Sequence, residues 1–328
     1  MTIQITIIGL GQIGTSVGLA LADKGDLLVR VGHDRQFDIA QQAKKMGAVD
    51  NVEINLPNSV RNADLILLSI PIDQIRETME IIAQDLKEGA VIMDTAPIKE
   101  AVTAWAVEIL PPGRYYVGLT PVINPVYLHS VESGVQAARA DMFHGGLMAI
   151  VATAAANAEA VKLAVDFTRL LGASPFFVDP AEMDGLMAAT HFLPQFLSAA
   201  LLNVTVDQPG WREGRKVAGR AYAEATAPSA HLDQVQALTT SAMFDQESIL
   251  RVLDSTIAAL QNIRNDINLQ NSDSLNERLS RARQGREKWW KERQAGDWLS
   301  VEGMTVEMPS VSGVFSRMLG LGKKPKTK

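Results

Sequence analysis

No cysteine occurs among the 328 residues. That excludes disulfides, thiolate nucleophiles and thiolate metal sites, and no metal site is expected. It is neutral about compartment. An excess of positive charge is missing too. The formal net charge is −6, which argues against nucleic acid as a partner. No basic leader precedes the first strand-like run at Ile3, and no uninterrupted apolar stretch reaches the length of a membrane span. No internal repeat or low-complexity tract stands out. The expectation is a cytoplasmic enzyme acting on a small molecule, with neither membrane nor nucleic acid as partner. A composition of 47% hydrophobic and 21% charged residues is that of a globular protein, and the length suits two domains.

What is present is concentrated at the start. Ile3–Ile8 reads as a short buried strand. It runs into Gly9-Leu10-Gly11-Gln12-Ile13-Gly14 and then an amphipathic segment, Thr15 to Asp23. A second apolar run, Leu27 to Val31, ends in Gly32-His33-Asp34, and Asp34 follows Gly14 by twenty residues. Strand, G-x-G-x-x-G, helix, strand and acid at these spacings form a dinucleotide-binding unit. Gly9 permits a tight turn, Gly11 lets a pyrophosphate approach the backbone, and Gly14 lets the helix pack on the strand. The helix N-terminus, through Gln12 and Ile13, offers N–H groups and a positive dipole end. Asp34 accepts from the adenosine ribose hydroxyls. Its charge repels a 2′-phosphate, so NAD is expected. Arg35 follows directly and keeps NADP open.

Residues 1 to about 152 alternate strand-like runs with helical patterns. The runs are Ile3–Ile8, Leu27–Gly32, Asp64–Ile70, Ala90–Asp94, Tyr115–Leu119 and Leu147–Thr153. A helix over 156–171 and a short strand, Ser174–Val178, follow. Such alternation predicts a doubly wound parallel sheet with ligands at the carboxyl ends of its strands. Ser69-Ile70-Pro71, Thr95 with Asp94 and Pro97, and Thr120 with Pro121 fall at those ends, together with the glycines and Asp34. Pro71 opens a helix, where its missing N–H costs nothing.

After Asp179 the pattern is helical only. Asp179-Pro180-Ala181-Glu182 is a helix start with a capping Asp, a Pro at the first position and a Glu at the third. The helix is expected to run to about Asn203 with a kink at Pro194. Asp184, Ala188, His191, Gln195 and Ser198 share one face by a 4-3-4-3 spacing, and Met183, Met187, Thr190, Leu197 and Leu201 form an apolar stripe beside it. The polar face reads equally as a cleft wall or as a solvent-facing edge. Further helices are expected from Ser248 to about Leu269 and from Ser274 to about Gln294. The domains are therefore 1–178, a Rossmann-type α/β unit; 179–295, all-helical, with stripes apolar enough to predict a homodimer; and a tail, 296–328.

These pieces resemble the prephenate/arogenate dehydrogenase family over roughly residues 3 to 295. Besides the glycine fingerprint and the Asp64–Pro71 strand, Asp94-Thr95-Ala96-Pro97-Ile98-Lys99 resembles that family's D-x-x-S-x-K segment, and Tyr116-Val117-Gly118-Leu119-Thr120-Pro121 resembles F-V-G-x-H-P. Glu132-Ser133-Gly134 and Ala140-Asp141-Met142-Phe143 resemble the E-x-S-G and A-D-L-F pieces. Asp184 to Pro194 resembles the H-D…S-H-L-P-H helix. The resemblance implies a Rossmann domain, a helical dimerisation and substrate domain, and NAD(P)-dependent oxidative decarboxylation toward tyrosine. It also implies site residues: Lys99, Asp184 and His191 for catalysis, with His191 on a helix facing the nicotinamide, and Asn124 among the substrate contacts.

The departures fall on the chemistry. Thr120 stands where the family has its catalytic histidine, and threonine is no base near neutral pH. Pro97 replaces a substrate-contacting serine. Met183 replaces the first histidine of H-D. The family's carboxylate-clamping T-R pair is absent from Gly219–Thr226, where Arg220 is the nearest cation. Two readings follow: an oxidoreductase with an altered substrate pocket, in which His191 and Lys99 carry acid–base work, or a nucleotide-binding protein without catalysis. A hydroxyacid dehydrogenase or imine reductase on the same plan is a third. In the tail, Val311, Val314, Phe315, Met318 and Leu319 have helical spacing ahead of four lysines. An arm on a dimer partner with a solvated end is expected there, ahead of a membrane-surface helix.

Overall fold

The computed structural model describes residues 2–25, 27–130, 132–230 and 235–296. The expectations for the 296–328 tail lie outside these residues, apart from Gly296, which ends the last helix. Two compact units result, one ending at Met183 and the other beginning at Asp184.

The first unit is built on eight strands: β1 (Ile3–Ile8), β2 (Leu28–His33), β3 (Asn51–Val52), β4 (Leu65–Leu68), β5 (Val91–Asp94), β6 (Tyr115–Val122), β7 (Leu147–Val151) and β8 (Ser174–Val178). Its helices are α1 (Gln12–Ala20), α2 (Phe37–Lys45), α3 (Leu56–Val60), α4 (Ile72–Ile82), α5 (Glu100–Ile109) and α6 (Ala158–Leu170). The sheet order is β3-β2-β1-β4-β5-β6-β7-β8. β1 to β6 are mutually parallel in the doubly wound order of a Rossmann fold. β4, Leu-Ile-Leu-Leu, is buried on both faces, which explains its unbroken apolar run. Ile5, Ile7, Leu65, Leu67, Met93, Val117 and Ile150 form the centre of the core.

The parallel expectation fails at one seam. β7 pairs antiparallel with β6, Thr120 opposite Ala149, while β8 pairs parallel with β7. The cause lies in the connections. A parallel return needs a crossover, normally a helix. Between β6 and β7 the described chain forms only short 3-10 turns, Pro125–Tyr127 and Gly134–Ala137. Between β7 and β8 it forms α6, and the parallel pairing returns.

The second unit holds the latter half of α7 (Pro180–Met187), then α8 (Leu193–Val206), α9 (Trp211–Val217), α10 (Arg220–Ala230), α11 (Val235–Phe244), α12 (Gln246–Asn268) and α13 (Ser272–Ala295). Pro194 does not kink the helix at its own position. Residues Ala188–Phe192 instead form one π turn, and Pro194 sits in the first turn of α8, where a missing N–H is harmless. The wider turn breaks the 4-3-4-3 register. Asp184, Ala188 and Ser198 are buried, but His191 is exposed, so the expected polar stripe is not one face. Ser198 and Ser229 share a 2.7 Å hydrogen bond, and Thr205 and Tyr222 another of 2.7 Å, joining α8 to α10. Arg278 meets Asp266 at 2.6 Å between α13 and α12.

Few apolar side chains of this unit are buried; Phe192 and Ile249 are the large ones, while Val204, Val217, Leu260, Ile267 and Leu269 lie open. The segment Pro180–Val206 is long and apolar enough to cross a membrane by length and composition. It is not an uninterrupted apolar run, since Asp184, His191, Gln195 and Asn203 fall within it. The π turn breaks it as well.

Candidate active site

The glycine turn is dictated by close approaches. Gly9 has φ +91°, and a Cβ there would lie 2.3 Å from the Ser69 carbonyl oxygen. A Cβ on Gly14 would lie 2.0 Å from the Gly9 carbonyl oxygen, so only glycine lets α1 pack on β1. Gly11 differs: a Cβ there would meet nothing within 4 Å. The space over it is the space a pyrophosphate needs. Gly11 caps α1 without a side-chain acceptor, leaving the first amides of the helix for an anion. Half-buried Gln12 reaches the Ala137 carbonyl, and Ile13 beside it is half-buried as well.

Asp34, just past the end of β2, ties the turn together. One carboxylate oxygen accepts from the Leu10 N–H at 2.8 Å and the other from the Gln36 N–H at 2.8 Å. A carboxylate has about four lone-pair sites, so half remain for ribose hydroxyls. Asp34, exposed Arg35 and Phe37 line a pocket of about 310 Å³ with His33, Val52 and Glu53. Glu53 went unread in the sequence because β3 is only two residues long and gives no periodic signal, and His33, read as the end of the second strand, was given no role there. Glu53's carbonyl meets His33 Nδ1 at 2.9 Å. Two carboxylates against one arginine favour a ribose over a 2′-phosphate.

Ser69, Ile70 and Pro71 follow β4, whose strand is shorter than expected, and Pro71 caps α4. Thr95 Oγ1 lies 3.4 Å from Ser69 Oγ, so the ends of β4 and β5 meet as the spacing required. The residues present thus fit a dinucleotide: glycines and helix amides for the pyrophosphate, Asp34 for the ribose, Ser69 and Thr95 further along the same edge.

Lys99 is fully buried. Its Nζ donates to Asp94 Oδ2 at 2.7 Å, and Asp94 Oδ2 also accepts the Ala96 N–H at 2.7 Å. Tyr116 donates its hydroxyl to Asp94 Oδ1 at 2.6 Å. Tyr116 and Gly118 lie on one face of β6, and a Cβ on Gly118 would come within 3.0 Å of the Lys99 stem. Asp94 and Tyr116 are thus the partners that sequence reasoning did not assign to Lys99. Thr120, on that same face, is 5% exposed, and its hydroxyl has no hydrogen-bond partner among the described residues. Pro97 is half-buried.

Asn124 has a local task. Its side-chain oxygen accepts the Val126 N–H at 3.1 Å, capping the turn Pro125–Tyr127, and its amide donates to the Asp141 carbonyl at 3.4 Å. In the second unit, Asp184 is buried. Arg220 is exposed and paired with Glu224 at 2.7 Å along α10. His191 has an exposed surface, but the protein around it is dense enough that desolvation lowers its pKa below the ordinary 6.5. The imidazole is therefore neutral at pH 7, with a nitrogen free to accept a proton.

Sheet order, glycine cradle and ribose acid define a Rossmann-type dinucleotide-binding protein. Comparison with known proteins narrows the class. The family model of the prephenate dehydrogenase nucleotide-binding domain matches residues 17–176. The glycine fingerprint precedes that span and rests on the geometry above. A cyclohexadienyl dehydrogenase of Zymomonas mobilis is 25% identical over 286 residues, 86% of this chain and 94% of its own. A prephenate dehydrogenase of Bacillus subtilis is 23% identical, covering 97% of this chain and 84% of its own. Among solved structures, the prephenate dehydrogenase of Aquifex aeolicus, in complex with hydroxyphenyl propionate and NAD+, superposes with a TM-score of 0.78 at 18% identity, over 88% of this chain and 98% of that one. Residues 17–176 carry the prephenate dehydrogenase nucleotide-binding domain, and the chain is an NAD(P)-dependent dehydrogenase similar to these enzymes over most of its length.

Proposed function

We propose that the chain oxidises a cyclohexadienyl hydroxy acid, prephenate, arogenate or a close analogue, with NAD preferred, as a step toward tyrosine in the cytoplasm. The observation that carries this is the cradle at the carboxyl ends of β1 and β2, with Gly11 open and Asp34 beside it. Bound NAD supplies the hydride acceptor. The residues of this chain do the rest. The amides of Gln12 and Ile13 hold the pyrophosphate, Asp34 holds the ribose, and Ser69 to Pro71 and Thr95 line the edge beyond.

His191 is the proposed base, because its lowered pKa keeps it neutral at pH 7. Thr120 in the histidine position offers its unpartnered hydroxyl for hydrogen bonding but takes no proton at this pH. Lys99, held by Asp94 and Tyr116, acts as a positive wall rather than as a proton carrier. Asp184 has a positioning role. Arg220 is a weaker carboxylate clamp than an unpaired arginine, since Glu224 already shares its charge. With Pro97 and Asn124 as neighbours of the substrate, the pocket departs from the family pattern enough to favour an altered ring substituent.

The experiment is NADH formation with prephenate, arogenate and a panel of related hydroxy acids, for the native chain, Thr120→His and His191→Ala. A positioned base is worth about 10²–10⁴ in rate. The reading requires slow native turnover, a gain in Thr120→His and a loss in His191→Ala. Native turnover that survives His191→Ala places the base elsewhere, and NAD binding without turnover of any acid removes the substrate class. We also propose a homodimer through the helical unit, on the strength of its open apolar side chains. Light scattering at twice the chain mass supports it, and a clean monomer refutes it.

A further inference from the structure

The sheet has a second carboxyl edge. Because β7 runs against β6, the carboxyl ends of β7 and β8 lie at the end of the sheet opposite the glycine cradle. Open α/β sheets bind ligands outside the carboxyl ends of strands. At the end of β7 there is a pocket of about 330 Å³, formed wholly within the first unit. Its base is the β6–β7 pair at Tyr116 and Val151. One wall is Leu110-Pro111-Pro112 after α5. The other is the loop Ala152 to Asn157, made mostly of alanine, which leads into the N-terminus of α6.

The chemistry of this pocket is specific. No acidic residue lines it. Arg114 does, and three of its N–H groups go to carbonyl oxygens: Leu86 at 3.1 and 2.7 Å, and Pro112 at 3.0 Å. A guanidinium has five donors, so two remain, and among the described residues no carboxylate pairs with it. The dipole of α6 adds positive potential. Asn157 already caps the amides of Glu159 and Ala160, so Arg114 is the group left to meet an anion directly. The other lining residues are aliphatic or aromatic apart from Thr103 and Thr153. A volume at the low end of ligand pockets suits one ring.

The pocket also touches the chemistry. Tyr116 lines it and gives its hydroxyl to Asp94, which holds both Lys99 and the Ala96 amide. We propose that the pocket binds a single-ring aromatic carboxylate, its carboxylate on Arg114 and its ring against Leu110, Pro112 and Tyr116, and that occupancy is passed through the Tyr116 hydroxyl to Asp94 and Lys99. The inference stands apart from the substrate assignment.

The test uses phenylacetate as probe and amide correlation spectra of the full chain. Titration should move the amides of Ala152, Ala155 and Ala156, and that of Ala96 with them. In Tyr116→Phe the loop amides should still move and Ala96 should stay. Ala155→Trp, at an exposed position on the rim, should weaken binding about tenfold or more, and Arg114→Gln by about ten- to a hundredfold. 2-Phenylethanol, which lacks the charge, should bind more weakly than the acid. Shifts confined to the glycine cradle, loop amides that do not respond, or unchanged affinity in Ala155→Trp overturn the site. An Ala96 response that persists in Tyr116→Phe overturns the coupling while leaving the pocket.

Discussion

Removing the Asp34 carboxylate separates cofactor recognition from folding. In Asp34→Ala two backbone donors, Leu10 N–H and Gln36 N–H, lose acceptors now at 2.8 Å each, and the ribose loses its partner. Gln36 is exposed and Asp34 half-buried, so water enters the space the carboxylate leaves and reaches the buried Leu10 N–H from there, and the fold should persist. The ligand has no such substitute. A hydrogen bond to a charged group contributes about 1.5–3 kcal/mol, which corresponds to about a 10- to 150-fold loss of NAD affinity. The same change removes the charge that repels a 2′-phosphate, and Arg35 and Glu53 remain in the pocket. NADP should therefore lose less than NAD, and the ratio of the two affinities should move toward NADP. Asp34→Asn is the intermediate: its carbonyl oxygen still accepts from Leu10, so loop geometry survives while the repulsion goes. Calorimetric titration of the three proteins with both cofactors gives the six constants needed. Native-like NAD affinity in Asp34→Ala would refute the assignment, and an unchanged NAD/NADP ratio would show that charge at this pocket does not discriminate.

Gly11→Ala should melt close to the native protein yet bind NAD more weakly, because its methyl enters open space, whereas Gly14→Ala should lower the melting temperature, because its methyl is driven onto the Gly9 carbonyl; equal melting of the two variants contradicts the distinction. Lys99→Met leaves buried Asp94 without its cation and should destabilise by about 3–5 kcal/mol, while the double change with Asp94→Leu should recover much of that; additive losses in thermal denaturation speak against a coupled pair. If His191 is the base, the acid limb of kcat/KM should fall below pH 6.5 and vanish in His191→Gln. The sign for stability follows from the same shift. His191 charges more readily in the unfolded chain, so the native protein loses stability relative to His191→Gln as pH falls below 6.5, and a difference that grows above 6.5 is the wrong sign.

Much of the cradle was legible because it is written within a few residues. The turn at Gly9, the approach at Gly14 and the opening at Gly11 each depend on local backbone geometry, and Asp34 follows from the length of one βα unit. The helix starting at Asp179 was legible for the same reason, its capping carboxylate accepting the Glu182 N–H at 2.9 Å. The candidate site beyond the cradle was less legible. Asp94 and Thr120 could be placed at strand ends, but nothing near Lys99 in sequence names Tyr116 as the group that completes its ion pair, and the turn that Asn124 caps shows only in the structure.

The sequence by itself determined the dinucleotide-binding half, the change to helices after Asp179 and the loss of the histidine at Thr120. These depend on residue type, on periods of two and of about 3.6, and on turns closed by immediate neighbours. Tertiary structure alone decided that β7 returns antiparallel, that a π turn before Pro194 breaks the polar stripe, that Glu53 joins Asp34 at one pocket, and that Asp94 holds Lys99 and Tyr116 together in the core. Each of these is set by where a distant segment comes to rest. The pairing of a strand and the partner of a buried charge are chosen by burial and hydrogen bonding across the whole unit, and residue spacing along the chain carries no record of that choice.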